Sequence, residues 1–153
     1  MSGFTRGTRI GVDVGKVRVG VAICDPDGIL ATPLTTLTRD LTGKADRLPS
    51  DVAALADLVR EHEAVEVIVG LPVTLAGQRG PAAAHVEEYA RVLASAIAPV
   101  PLHLVDERMS TVVATRRLSE RGVRGKRQRA VVDQVAAVEI LQSWLDAQRR
   151  RTC

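Results

Sequence analysis

A chain of 153 residues is long enough to bury its own core without disulfides or structural metals, and is most simply one domain, 1–153. Hydrophobic residues make up 46% and charged residues 25%, which excludes a disordered or fibrous chain. The net charge of +3 comes with only 2% aromatics, so a polyanionic partner would be met through its backbone and shape rather than by stacking. No apolar run approaches the roughly 20 residues of a membrane span, and the first nine residues lack a signal-peptide core. A cytoplasmic protein without membrane contact is the expectation. Cys24 and Cys153 have no metal-type spacing and read as free thiols.

Residues Thr8 to Val14 alternate, with Ile10, Val12 and Val14 on one face and Arg9, Gly11 and Asp13 on the other, which is strand periodicity. Gly15 and Lys16 make a tight connection to a second alternating run, Val17 to Ile23. Pro26-Asp27-Gly28 is a turn sequence, so Ile29 to Leu37 reads as a third antiparallel strand. A polar loop follows, and Ser50 or Asp51 can cap a helix carrying Val52, Leu55, Ala56 and Val59. Val65 to Gly70 is a short strand, Ala82 to Ala98 an alanine-rich helix, and Leu102 to Val105 a fifth strand ending at Asp106-Glu107. Ser110 caps a short helix to about Arg121, and a long helix runs from about Arg129 to Gln148. Residues 1–7 and 149–153 read as tails.

Three acidic positions stand out: Asp13 between two glycines, the Asp106-Glu107 pair, and Asp133 inside an apolar stretch. Carboxylates are costly to desolvate, so acids in such settings usually meet a cation or a hydrogen-bond donor. Three that converge would hold a hard divalent ion through oxygen ligands. Asp106 and Glu107 are neighbours, so a strand sends them to opposite sides, and periodicity leaves open which one faces Asp13. Asp13 can instead close a turn through its side chain, and Asp133 can pair with Arg129. Basic residues crowd the stretch before Asp133: Arg116, Arg117, Arg121, Arg124, Lys126, Arg127 and Arg129, opposed only by Glu120. A cationic rim beside an acidic pocket suits a phosphodiester backbone.

The order β-β-β-α-β-α-β-α-α predicts an antiparallel meander joined through right-handed crossovers to two parallel strands. The result is an α/β mixed five-stranded sheet, three antiparallel strands then two parallel, flanked by helices: the ribonuclease H-like fold. An Asp-x-Gly pattern also occurs in actin-like and sugar kinases, but those close two such domains over a nucleotide, and one domain of this length cannot supply both.

Four motifs then resemble one family within that fold. They are Asp13-Val14-Gly15 through Arg18-Val19-Gly20-Val21-Ala22, Gly70-Leu71-Pro72 with Gly77, Asp106-Glu107-Arg108-Met109-Ser110-Thr111, and Asp133-Gln134-Val135-Ala136-Ala137 through Ile140-Leu141-Gln142. Together, from about Thr8 to Leu145, they resemble the YqgF/RuvX family, described as Holliday-junction-resolvase-like proteins or pre-16S rRNA nucleases. The resemblance implies a metal-dependent nuclease whose acids match Asp13, Glu107 and Asp133, holding one or two Mg²⁺ or Mn²⁺ ions. It implies nucleic acid as partner, either an rRNA precursor or branched DNA. Lys16, Arg18, Arg108, Arg124, Lys126, Arg127 and Arg129 are the candidate phosphate contacts. Trimming of the 5′ end of pre-16S rRNA is the leading expectation. Junction resolution by a homodimer is the alternative, and a non-catalytic nucleic-acid-binding protein is the third. Thr74, Ala76 and Val17 depart from residues frequent in the family, and these positions bear on substrate contacts rather than on the acids.

Overall fold

The computed structural model describes residues 5–42, 47–72, 80–106 and 126–152, the last segment with side chains from 134 to 150. Strands β1 (Arg9–Val14), β2 (Arg18–Cys24) and β3 (Ala31–Thr38) precede α1 (Ser50–Glu61) and β4 (Glu66–Leu71). Then come α2 (Pro81–Ile97), β5 (Leu102–Asp106) and α3 (Lys126–Thr152). Among the described residues the strands form one five-stranded sheet in the order β3-β2-β1-β4-β5. The β1–β2 and β2–β3 pairs are antiparallel, and β1–β4 and β4–β5 are parallel. This is the mixed ribonuclease H-like sheet that the element order predicts.

Strand alternation sorts the side chains into two cores. Ile10, Val12, Val19, Val21, Val67 and Val69 face α1 and α2, where they meet residues such as Leu55, Val86 and Leu93. On the opposite face Ala22, Cys24, Ala31 and Ile68 lie under Ala136, Ala137, Ile140, Leu141 and Leu145 of α3. That helix sits close because Gly11 leaves room for it. A Cβ at residue 11 would stand 2.7 Å from the Leu141 Cβ and 3.0 Å from the Ala137 carbonyl oxygen.

The direction of α3 is fixed at two levels. Gln134 Nε2 donates to the Thr36 hydroxyl at 2.9 Å, and Ala31 N–H donates to Gln142 Oε1 at 2.8 Å. As the helix advances from 134 to 142, its contacts on β3 retreat from 36 to 31. It therefore runs antiparallel to β3 and, through the two antiparallel pairings, to β1.

Several local features depart from the sequence reading. The third strand starts at Ala31 rather than Ile29, because the Asp25 carboxylate accepts the N–H groups of Asp27, Ile29 and Leu30 and commits them to the turn. Neither Ser50 nor Asp51 caps α1. Pro49 occupies the cap position, and the orphan N–H of Ser50 is taken at 2.8 Å by Oδ2 of Asp40, across the loop. Asp51 points inward and accepts from the Tyr89 hydroxyl at 2.8 Å. At the chain ends, Gly7 N–H donates to the Pro26 carbonyl at 2.8 Å. Arg149 is still helical and donates to the Gly28 carbonyl at 2.6 Å. The expected short helix from Ser110 to Arg121 lies outside the described residues.

Cys24 is buried beneath α3, and its Sγ accepts the Arg9 N–H at 3.2 Å. Burial pushes its thiol pKa up. It is consequently a core residue, not a group placed to form an intermolecular disulfide. Among the described residues no helix is long and apolar enough to cross a membrane.

Candidate active site

Asp13 is the penultimate residue of β1 and is only 1% exposed. It shares a strand face with Gly11, so it lies on the side covered by α3. Its partner across the antiparallel pairing is Gly20, and the partner of Gly20 is Thr36. On the other flank the β1–β4 pairing runs through Val12 and Val69, so Gly70 is the next residue along beside Asp13. The residues flanking Asp13 on the two neighbouring strands are thus both glycines, Gly20 and Gly70.

Helix and strand spacings carry α3 to the same level. From Ala137, over Gly11, back to residue 133 is four helical residues, about 6 Å of rise. From Gly11 to Asp13 is two strand residues, about 6.6 Å. Because the helix and strand are antiparallel, these displacements point the same way. The Gln134–Thr36 hydrogen bond marks that level independently, since Thr36 is in the row of Asp13 and Gly20. The helical turn containing residue 133 therefore stands over the Asp13 row. The side chain of Asp133 itself is outside the described set.

The fifth strand bears on the side to which Asp106 turns. Leu102 packs with the α1/α2 core, whereas Val105 packs with the α3 core. His103 stacks on Trp144 of α3 with ring centroids 5.8 Å apart. Odd positions of β5 thus face α3 and even positions face away. Asp106 pairs with Leu71, itself part of the α1/α2 core, and so belongs to the set turned away from Asp13. Glu107, Arg108 and Arg124 lie outside the described residues.

The candidate phosphate contacts fall at two places. Lys16 is exposed and Arg18 half-buried at the β1–β2 turn, just past Asp13. Positions 126, 127 and 129 occupy the first turns of α3, on the approach to 133. Two polar contacts here have no local sequence signal: Gln134 with Thr36, 98 residues apart, and the Tyr89–Asp51 pair, 38 apart. Only the topology brings them together.

The described residues contain no group of three His, Cys, Asp or Glu side chains able to hold a metal ion. What they do present is compatible with an oxygen-ligated cation. A buried carboxylate lies near the end of a strand, with a glycine on each neighbouring strand, and a helical turn bearing an aspartate stands at its level.

Comparison with known proteins gives a concordant picture. A family model described as "RuvX: Holliday junction resolvase" matches residues 7–147. A protein of Mycobacterium sp. (strain KMS) named "Putative pre-16S rRNA nuclease" is 60% identical over 144 residues, which is 94% of this chain and 82% of the relative. One of the same name from Mycolicibacterium smegmatis is 59% identical over 145 residues, 94% of this chain and 83% of the relative. Among solved structures, T. thermophilus RuvC in complex with a Holliday junction substrate superposes with a TM-score of 0.55 at 14% identity. That superposition covers 95% of this chain and 97% of the other, and it speaks for the fold alone.

Proposed function

The chain belongs to the RuvX family and is a nuclease of the ribonuclease H-like fold, and on that premise we propose that it trims the 5′ end of pre-16S rRNA with a divalent metal ion. The observation that carries the site is the Asp13–Gly20–Thr36 row beneath α3, with Gln134 tying the helix to it. The site consists of Asp13, Glu107 and Asp133. Asp13 anchors it from the sheet. Glu107 is favoured over Asp106 because odd positions of β5 face α3. Asp133 is favoured because its turn stands at the level of Asp13.

Three carboxylates of this kind would hold one or two Mg²⁺ or Mn²⁺ ions, which supply charge neutralisation and an activated water for phosphodiester hydrolysis. The protein's own residues do the positioning. Gly20 and Gly70 flank Asp13 on the neighbouring strands and add no side chain of their own. Lys16 and Arg18 at the β1–β2 turn, together with Arg108, Arg124, Lys126, Arg127 and Arg129, bind the phosphate backbone without reading bases. The whole chain acts as one domain in the cytoplasm, where ribosomal precursors are processed. The relatives' shared name supports the rRNA substrate.

The family model's description favours a second reading, resolution of four-way DNA junctions. Two coordinated cuts would then require a symmetric dimer.

The test is cleavage of a pre-16S rRNA 5′ fragment against a synthetic four-way junction, in Mg²⁺ and in Mn²⁺, with Asp13→Asn as the blank. RNA cleavage by wild type, reduced about 10³-fold in the variant with binding retained, is the expected result. Symmetric nicks in the junction alone would establish the second reading. Wild-type rates in Asp13→Asn would remove the carboxylate site altogether.

A further inference from the structure

We infer that Arg39 is a positioning residue for Asp13, acting by clamping the β1–β2 turn to the α1/α2 layer; this rests on the nuclease reading above. The turn has reason to need a clamp. It is a two-residue connection, Lys16-Val17, closed by the Gly15 N–H donating to the Arg18 carbonyl at 2.8 Å. Short hairpin turns that match strand twist use residues with positive φ, and none of these four has one. A Cβ at Gly15 would lie 2.8 Å from the Arg18 carbonyl oxygen, so the turn is already tight.

Residue 39, just past the end of β3, grips this turn on both sides. Its backbone N–H donates to the Val17 carbonyl at 2.9 Å, and Nη1 donates to the Gly15 carbonyl at 2.8 Å. The same guanidinium meets the helices, through an ion pair rather than a hydrogen bond in the case of Asp51. Nε lies 3.4 Å from Oδ2 of Asp51, Nη1 is 3.0 Å from Nε2 of His85, and the group lies over the Tyr89 ring, 4.9 Å from its centroid. The arginine side chain is 8% exposed and that of Asp51 1%.

A buried guanidinium is expensive unless it is paired. Here its pairing fixes its position, since Asp51 is itself held by the Tyr89 hydroxyl and by the Asp40 N–H. The fork therefore transmits the location of α1 and α2 to the Gly15 carbonyl, two residues from Asp13. Gly11 sets the distance from β1 to α3 on one face of the sheet, and Arg39 secures the end of the same strand from the other. Lysine, a point charge without a fork, cannot hold Gly15, His85 and Asp51 together.

The experiment compares wild type with Arg39→Lys in three measurements: amide exchange of Gly15, Mn²⁺ affinity by titration, and kcat and KM on the pre-16S fragment. In the folded variant we expect Gly15 protection to fall about tenfold, Mn²⁺ affinity to fall about 10-fold or more, and kcat to fall likewise, with KM within about twofold. A variant with wild-type protection overturns the clamp. Lost protection with unchanged Mn²⁺ affinity and kcat overturns the positioning role. Should the lysine variant not fold, Arg39→Gln combined with Asp51→Asn removes both charges together and is read in the same way. Wild-type protein that binds Mn²⁺ but cuts nothing would overturn the nuclease reading only, and Mn²⁺ affinity would then decide for Arg39. Wild type that neither binds nor cuts would overturn both.

Discussion

Gln134 donates to the Thr36 hydroxyl at 2.9 Å, and Thr36 is joined through Gly20 to Asp13 in one cross-strand row. The contact locks the front of α3 to the sheet at the level of the candidate site. Thr36→Val keeps the shape and removes the hydroxyl. Unfolding free energy should fall by about 1 kcal/mol in a urea titration followed by Trp144 fluorescence. Cleavage should fall as well, because the turn bearing Asp133 loses its tether. Unchanged activity at reduced stability would separate this contact from the site.

Gly11→Ala tests the close approach of α3. The new methyl has to displace Leu141 at its Cβ and the Ala137 backbone, neither of which is the end of a flexible side chain. Overpacking of this kind costs about 1–3 kcal/mol and should lower the thermal midpoint. The displaced helix should also weaken Mn²⁺ binding relative to wild type, as titration would show.

At the opposite end of the sheet, Arg9 is 2% exposed and gives Nε and Nη2 to one Glu66 oxygen, at 2.9 and 2.7 Å. The other Glu66 oxygen is 2.7 Å from Nε2 of His103, which stacks on Trp144. Glu66→Gln removes the charge from the carboxylate that Arg9 and His103 share and weakens both contacts, a loss of about 2 kcal/mol in denaturant titration. Activity per folded molecule should stay near wild type, since the cluster is remote from Asp13.

Tyr89 is the only tyrosine, so its ionisation can be followed directly by phenolate absorbance. Burial, then the hydrogen bond to and the charge of Asp51, hold its pKa well above the usual range. A group whose folded pKa is raised stabilises the protein fully below its unfolded value of about 10 and loses that contribution as pH rises towards the folded value. Stability should therefore decline above about pH 10. Phenolate absorbance should rise only together with the change in Trp144 fluorescence. Titration near the ordinary value in the folded state would contradict the Tyr89–Asp51 contact.

Much of this was legible in the residues. Alternation around Asp13 and the helical spacing of the C-terminal run lead to the sheet and to the two layers that cover it. Adjacent acids at 106 and 107 could not be told apart in sequence, because alternation assigns opposite sides without saying which is which. The packing of Val105 and His103 against α3 gives the parity of β5 as far as Asp106. The cap of α1 was misassigned for a related reason. Asp40, ten residues before Ser50, does what a local serine or aspartate usually does, leaving Asp51 to meet Tyr89 and Arg39 in the interior. Clusters assembled across 38 or 98 residues leave no periodic trace.

The antiparallel course of α3 against β1 has a consequence for how this chain can change length. Ala137 rests on Gly11, Gln134 reaches Thr36, and Gln142 meets Ala31, so three levels of one helix are indexed to the sheet. One inserted residue turns everything beyond it by about 100°. Between 134 and 137 it would separate Gln134 from Thr36, and between 137 and 142 it would separate Gln142 from the β2–β3 turn. Within α3, the span from Gln134 to Gln142 should therefore keep a constant residue count while its outward-facing positions vary.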